Sequence, residues 1–181
     1  MRCVNVVSFV MVLWTSGVFG AEVYFSPSSD CEDRIVKAIE ASTNEIVASV
    51  YSINNKKIVD ALKAAKVRGV KVRVLSDRVQ ASQRSSKILE MLDSGLDVRV
   101  HSKFKIEHNK FGVYDGKLVS TGSFNWTGPA ARSNSENCIF VDEPAIIAKY
   151  SERFAFLWEK NTAEGSRAHL AKIQARNLGS K

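Results

Sequence analysis

From His108 to Asn125 the chain reads HNKFGVYDGKLVSTGSFN. Four residue types in it can do chemistry together. The imidazole of His108 can act as a nucleophile or as an acid–base group near neutral pH. Lys110, Ser123 and Asn125 add an ammonium, a hydroxyl and a carboxamide, all donors suited to the non-bridging oxygens of a phosphate. Charge spreads over those oxygens during phosphoryl transfer, and fixed donors stabilise it without a metal. The set therefore suits cleavage of a phosphodiester through a phosphohistidine. No Cys-x-x-Cys pair or clustered His/Cys spacing points to a metal site, and no cofactor is expected.

These residues must be brought together by a hairpin. Asp115-Gly116 is a two-residue turn signal between alternating segments. A two-residue loop pairs Tyr114 with Lys117, Lys110 with Thr121 and His108 with Ser123. Side chains alternate along a strand and opposed residues share a face, so His108, Lys110 and Ser123 converge, with Asn125 a step beyond. A bulge at Gly122 would shift this register by one. Phe111 and Val113, with Val119 beside them, take the other face. Gly112 leaves a gap on the polar face where a substrate can approach closely. The plain alternative for such a polar row is a solvated hairpin face.

The spacing His-x-Lys-x4-Asp-x6-Gly-Ser-x-Asn, carried by His108, Lys110, Asp115, Gly122, Ser123 and Asn125, resembles the signature of the phospholipase D superfamily. The likeness runs from VYFSPSSDC to FLWEK, and the segment NWTGPAARSNSENC is similar to the bacterial and mitochondrial single-motif branch. In style the chain is closest to the small secreted bacterial endonucleases of the family. The resemblance implies His108 as nucleophile and Lys110, Ser123 and Asn125 as the phosphate holders. It implies Glu136 as the carboxylate that orients the histidine, a role like that of the aspartate in a serine triad. Asp115 belongs to the same catalytic motif, with its main work in holding the turn. The family's reaction uses two histidines, one attacking and one protonating the leaving oxygen. Here His101-Ser-Lys103 is the only other His-x-Lys and lacks the rest of the motif, so it reads as a chance match or a substrate-facing basic edge. His169 lies near the C-terminus. The second histidine is then expected from a second copy, in a homodimer with one composite site.

Around the motif, strand-like and helix-like segments alternate. EVYFS, EIVASVYSI, VKVRVLSD, LDVRVH and ENCIFVD read as strands. CEDRIVKAIEAS, NKKIVDALKAAKVRG, SSKILEMLDSG and PAIIAKYSERFAFLWEKNT read as helices. The order β-α-β-α-β-α-β predicts an α/β fold with a mixed, largely parallel sheet flanked by helices on both faces. The resemblance implies the phospholipase D-like version of it. Residues 21–162 form one catalytic domain, and 163–181 read as a basic, frayed C-terminal tail. Residues 1–20 have the layout of a cleaved signal peptide, with an apolar stretch from Val4 to Trp14 too short to span a bilayer. Export to the periplasm or beyond follows, with an uncleaved membrane anchor as the alternative. Cys31 and Cys138 remain in the mature chain. They suffice for one disulfide, and their spacing leaves open whether they meet.

Of 181 residues, 26 are Lys or Arg and 19 Asp or Glu, a net charge of +7. A basic balance favours polyanions. The first expectation is a metal-independent, sequence-nonspecific endonuclease acting on DNA, with RNA or single strands as further substrates. Arg78, Arg84, Lys87, Lys103, Lys105 and Arg132 are candidate groove cations. Trp126 reads as a packing residue before a base-stacking one. The alternative is a phospholipase D or cardiolipin hydrolase acting on anionic phospholipid through the same site.

Overall fold

Glu45–Val50 is a run with every residue after Glu45 buried. A strand apolar on both faces belongs inside a sheet rather than at its edge. In the computed structural model, which describes residues 20–178, this strand is β2 and has partners on both sides. The other strands are β1 (Ala21–Ser26), β3 (Lys71–Asp77), β4 (Asp97–His101), β5 (Lys110–Tyr114), β6 (Leu118–Gly122) and β7 (Glu136–Val141). The helices are α1 (Asp30–Ala41), α2 (Lys56–Val67), α3 (Arg78–Ala81), α4 (Ile88–Asp93), α5 (Gly128–Arg132), α6 (Pro144–Lys160) and α7 (Ala163–Leu178).

The strands form one sheet in the order β1-β7-β6-β5-β2-β3-β4. The α/β class and the mixed sheet are as expected, but the parallel share is smaller. Only β2–β3 and β3–β4 pair parallel, while β1–β7, β2–β5, β5–β6 and β6–β7 are antiparallel. The reason is the hairpin: β5 enters beside β2 in the opposite sense, and β6 and β7 build outward from it. β1 does not join the parallel group that follows it in sequence but closes the far edge against β7.

Both faces of the sheet carry helices. On one, Ile35 and Ile39 of α1 and Ile58 and Leu62 of α2 pack with Ile46, Ala48, Val72 and Val74. On the other, Ile147, Phe154, Leu157 and Trp158 of α6 cover Val47, Leu75, Phe111, Val113 and Val119. Asn55 starts α2 by accepting a hydrogen bond from the Ile58 N–H (3.2 Å), and Pro144 occupies the first turn of α6. Cys31 and Cys138 do meet, in a disulfide joining α1 to β7 across 107 residues with a Cα separation of 6.0 Å. Closing a loop of that size restricts the unfolded chain by roughly 4–5 kcal/mol in the chain-entropy model.

The segment after Asn161 is not a frayed tail. Residues 163–178 form α7, whose Leu170 and Ile173 are buried in the core. The buried Ser166 hydroxyl accepts the Val100 N–H at 3.2 Å, so α7 covers the outer edge strand β4. A few apolar residues at helical spacing sufficed, because the edge strand offered donors and apolar area to meet them. The signal segment lies, except for Gly20, outside the described residues. Among the described residues no helix is long and apolar enough to cross a membrane.

Candidate active site at the open end of the hairpin

Tyr114 pairs with Leu118, Val113 with Val119 and Gly112 with Ser120. The loop thus holds three residues, Asp115 to Lys117, and the register is one residue off the two-residue expectation. Asp115 and Gly116 both have positive φ (52° and 62°), and the Lys117 N–H bonds the Tyr114 carbonyl at 2.9 Å. In an unbroken strand that slip would send Ser123 to the wrong face. Gly122 prevents this. Its φ of 140° turns the chain, and a Cβ there would stand 2.4 Å from the Asn137 carbonyl oxygen, so no other residue fits.

His108 precedes β5 on an exposed segment, at the end of the sheet where β2 and β3 finish. Its backbone is held by neighbours. The buried Glu107 accepts the Ser49 hydroxyl (3.0 Å), the Asn109 N–H (3.2 Å) and the Asn109 side-chain amide, and its own N–H bonds Asp77 (3.1 Å). The Asn109 carbonyl accepts the Tyr51 N–H at 2.8 Å. The ring of Tyr51 lies 4.6 Å from that of His108, and the Lys110 ammonium sits 4.9 Å above the same ring. Lys110 is 9% exposed and donates to the His108 carbonyl at 2.7 Å. Burial pushes its pKa down, while the nearby charges of Glu136 and Glu107 act the other way.

Ser123 donates to the Glu136 carboxylate at 2.5 Å, and its oxygen accepts the Asn137 N–H at 3.1 Å. Glu136 also accepts from the Asn134 side chain (3.0 Å). No hydrogen bond joins Glu136 to His108 among the described residues, so within one chain Glu136 holds Ser123 and sets the field at Lys110. It does not orient the histidine there. Asn125 is placed by its neighbour: Trp126 is 1% exposed, and its carbonyl accepts the N–H groups of Asn54 and Asn55, both at 3.0 Å. Trp126 is thus a packing residue. The Asn125 side-chain oxygen is buried without a hydrogen-bond partner. A half-turn of the amide would present its N–H groups instead, and a buried unpaired amide is suited to meet a phosphate oxygen.

The structure separates the remaining candidates from this group. Asp115 stands at the other end of β5, five residue steps from Lys110, roughly 16 Å at strand rise. Its carboxylate accepts the N–H groups of Thr43 (2.8 Å), Asn44 (2.8 Å) and Glu45 (2.9 Å) and the Thr43 hydroxyl (3.1 Å). Asp115 therefore clamps the turn and does not touch the reacting group. Gly112 is no substrate gap either: a Cβ there would meet the Tyr114 hydroxyl at 2.7 Å and the Trp126 ring at 3.2 Å, so core side chains already fill the space. His101 is 1% exposed, with both ring nitrogens unpaired and Glu107 3.9 Å away, so it is not a substrate-facing edge. Burial lowers its pKa, with Glu107 and Asp77 opposing. The Nε2 of His169 is engaged by the Arg78 carbonyl (3.1 Å) and the Ser82 hydroxyl (3.3 Å). Among the candidate cations, Lys87 pairs with Glu90 at 2.7 Å, whereas Arg78, Arg84, Lys103, Lys105 and Arg132 are exposed. Sequence reasoning missed Tyr51 and Glu107. The one available signal was position: each stands beside a motif-bearing strand end.

Comparison with known proteins shows the family of the chain. Residues 35–158 match the family described as cardiolipin synthase, PLD-like domain. A phospholipase D of Rickettsia prowazekii is 36% identical over 130 residues, covering 72% of this chain and 63% of that protein. A mitochondrial cardiolipin hydrolase of Chlamydomonas reinhardtii is 33% identical over 126 residues, 70% of this chain and 56% of that one. The chain thus spans less than two thirds of the length of these relatives. The crystal structure of Nuc, a phospholipase D family member from Salmonella typhimurium, superposes with a TM-score of 0.75 at 30% identity, over 80% of this chain and 97% of that chain. NucT from Helicobacter pylori gives 0.74 at 23% identity, over 80% and 99%, and shows the same fold. The chain belongs to the phospholipase D superfamily of phosphodiesterases.

Proposed function

We propose that the protein is an exported, metal-independent endonuclease that hydrolyses nucleic-acid phosphodiesters with little sequence preference. The observation that carries this is the exposed imidazole of His108 beside a nearly buried Lys110, with Ser123 and Asn125 on the same hairpin. The net charge of +7 supports nucleic acid as substrate, since phosphate contacts dominate such binding. The signal-like segment and the disulfide support an oxidising compartment.

His108 attacks phosphorus with a ring nitrogen. The P–N bond forms as the bond to the leaving sugar oxygen breaks, and a second imidazole gives that oxygen its proton. The same imidazole then takes a proton from water, whose oxygen attacks phosphorus, releases the phosphate monoester and restores His108. Lys110, Ser123 and Asn125 hold the non-bridging oxygens throughout. The chain has three histidines, of which His101 is buried and His169 is engaged elsewhere. The second imidazole is therefore His108 of a second copy, and the working site lies on a dimer axis.

The second reading is hydrolysis of lipid phosphodiesters, supported by relatives that are a phospholipase D and a cardiolipin hydrolase. The test is incubation of residues 21–181 with plasmid DNA, single-stranded DNA, RNA and cardiolipin vesicles in excess EDTA. Nicking that persists in EDTA and falls with dilution below the dimer's dissociation constant is expected. Full specific activity from a proven monomer removes the composite site, and lipid cleavage without DNA cleavage replaces the first reading by the second.

A further inference from the structure

Just before His108 the chain reads Lys103-Phe104-Lys105-Ile106. Phe104 is 46% exposed and Ile106 48%, with an exposed lysine beside each. Against this loop stands α6. Its Arg153 guanidinium lies 5.6 Å from the Phe104 ring and 5.4 Å from that of Phe156, which is 42% exposed. The Lys160 ammonium is 5.6 Å from the Phe156 ring. Loop and helix thus form one continuous surface in which rings and cations alternate. Glu152 and Glu159 border it on the helix, Glu152 lying 3.8 Å from Lys149.

Three large apolar side chains exposed together mark an interaction surface. Three occupants can be compared. Nucleic acid stacks its bases on open aromatic faces, but the His101 ring lies parallel to Phe104 at 5.2 Å and takes one face. Ile106 has no aromatic face at all. A second copy meeting this patch across a two-fold axis would bring its cations against their own images, whereas the cores of protein interfaces are depleted of charge. An anionic bilayer fits both components. Apolar tips enter the acyl boundary while lysine and arginine heads reach the headgroup phosphates.

We propose that this surface docks the protein on an anionic lipid bilayer, with Phe104, Ile106 and Phe156 inserted and Lys103, Lys105, Arg153 and Lys160 at the phosphates. Docking holds His108, two residues from Ile106, at the membrane surface. The inference goes beyond the proposed reaction and does not depend on which phosphodiester is cut.

Co-sedimentation with vesicles tests it without turnover. The probes are phosphatidylcholine alone and phosphatidylcholine mixed with phosphatidylglycerol. Binding to the mixed vesicles only, weakened by salt, is expected. The pair Phe104→Ala/Ile106→Ala should weaken it about tenfold or more, and so should Lys103→Gln/Lys105→Gln, with circular dichroism and sedimentation mass unchanged. Equal binding to both vesicles, wild-type binding by both variants, or a changed oligomeric mass in the apolar variant overturns the proposal. Loss of DNA retention by the apolar variant with vesicle binding intact assigns the patch to nucleic acid and overturns it equally. The proposed nuclease reaction is tested separately by the EDTA assay, so the two can fail independently.

Discussion

The two ends of the β5–β6 hairpin use polar residues in opposite ways. At the turn, the carboxylate of Asp115 accepts four hydrogen bonds, three from backbone N–H groups. Burial alone would raise its pKa, but these bonds prevail and hold it below the ordinary value. At the open end, His108 faces solvent, Asn125 has an unpaired buried oxygen and burial lowers the pKa of Lys110. One end is satisfied and rigid. The other is held in place by Tyr51, Glu107, Glu136 and Trp126 while its reactive groups keep capacity for a partner. A single motif thus divides into a part that stabilises and a part proposed to react.

That division can be broken from either side. The largest effect is expected for His108→Asn, which should lower kcat by about a thousandfold or more while shifting the unfolding midpoint in urea hardly at all. A loss of stability matching the loss of rate would show that His108 is architecture as well. Asp115→Asn should do the reverse. It removes the negative charge and one of the two accepting oxygens, so two of the four donors lose their acceptor, and it is expected to cost about 2–3 kcal/mol of folding stability, with kcat of the folded fraction nearly unchanged. Its pH dependence has a definite sign. A lowered folded pKa stabilises fully above the ordinary value of about 3.8 and loses that contribution as pH falls through the folded value. Urea midpoints should therefore differ between wild type and variant at pH 7 and converge in acid. The smallest effect is expected at Tyr51, whose ring touches both reactive side chains. Tyr51→Ala should reduce kcat about tenfold, the scale of one aromatic or cation–π contact, and Tyr51→Phe should restore most of it. If Phe fails to rescue, the hydroxyl, which accepts from the Gln80 side chain at 2.9 Å, carries the effect instead of the ring.

Much of the site was legible because its spacing is local. His108, Lys110, Ser123 and Asn125 fall within eighteen residues, and a hairpin can bring them together without help from the rest of the chain. Phe111, Val113 and Val119 were placed on the opposite face by alternation alone, and they lie there under α6. The register was not legible. Asp-Gly suits a two-residue turn, but the clamp of Asp115 on Thr43, Asn44 and Glu45 comes from a loop some seventy residues away. The reading of Gly112 as a substrate gap failed for a related reason, since the side chain filling the space, Trp126, arrives from another element.

By itself the sequence determined the candidate nucleophile and the polar residues proposed to accompany it, the helix and strand alternation and the basic charge, all of which depend on residue type and short spacing. Only the tertiary structure decided the rest. It set the antiparallel majority of the sheet, the pairing of Cys31 with Cys138, the docking of α7 on β4, the burial of His101 and the exposure of Phe104 beside Arg153. Each of these is a meeting of residues distant in sequence, governed by which edges and faces remain open once neighbouring elements have packed. Local propensity carries no record of that.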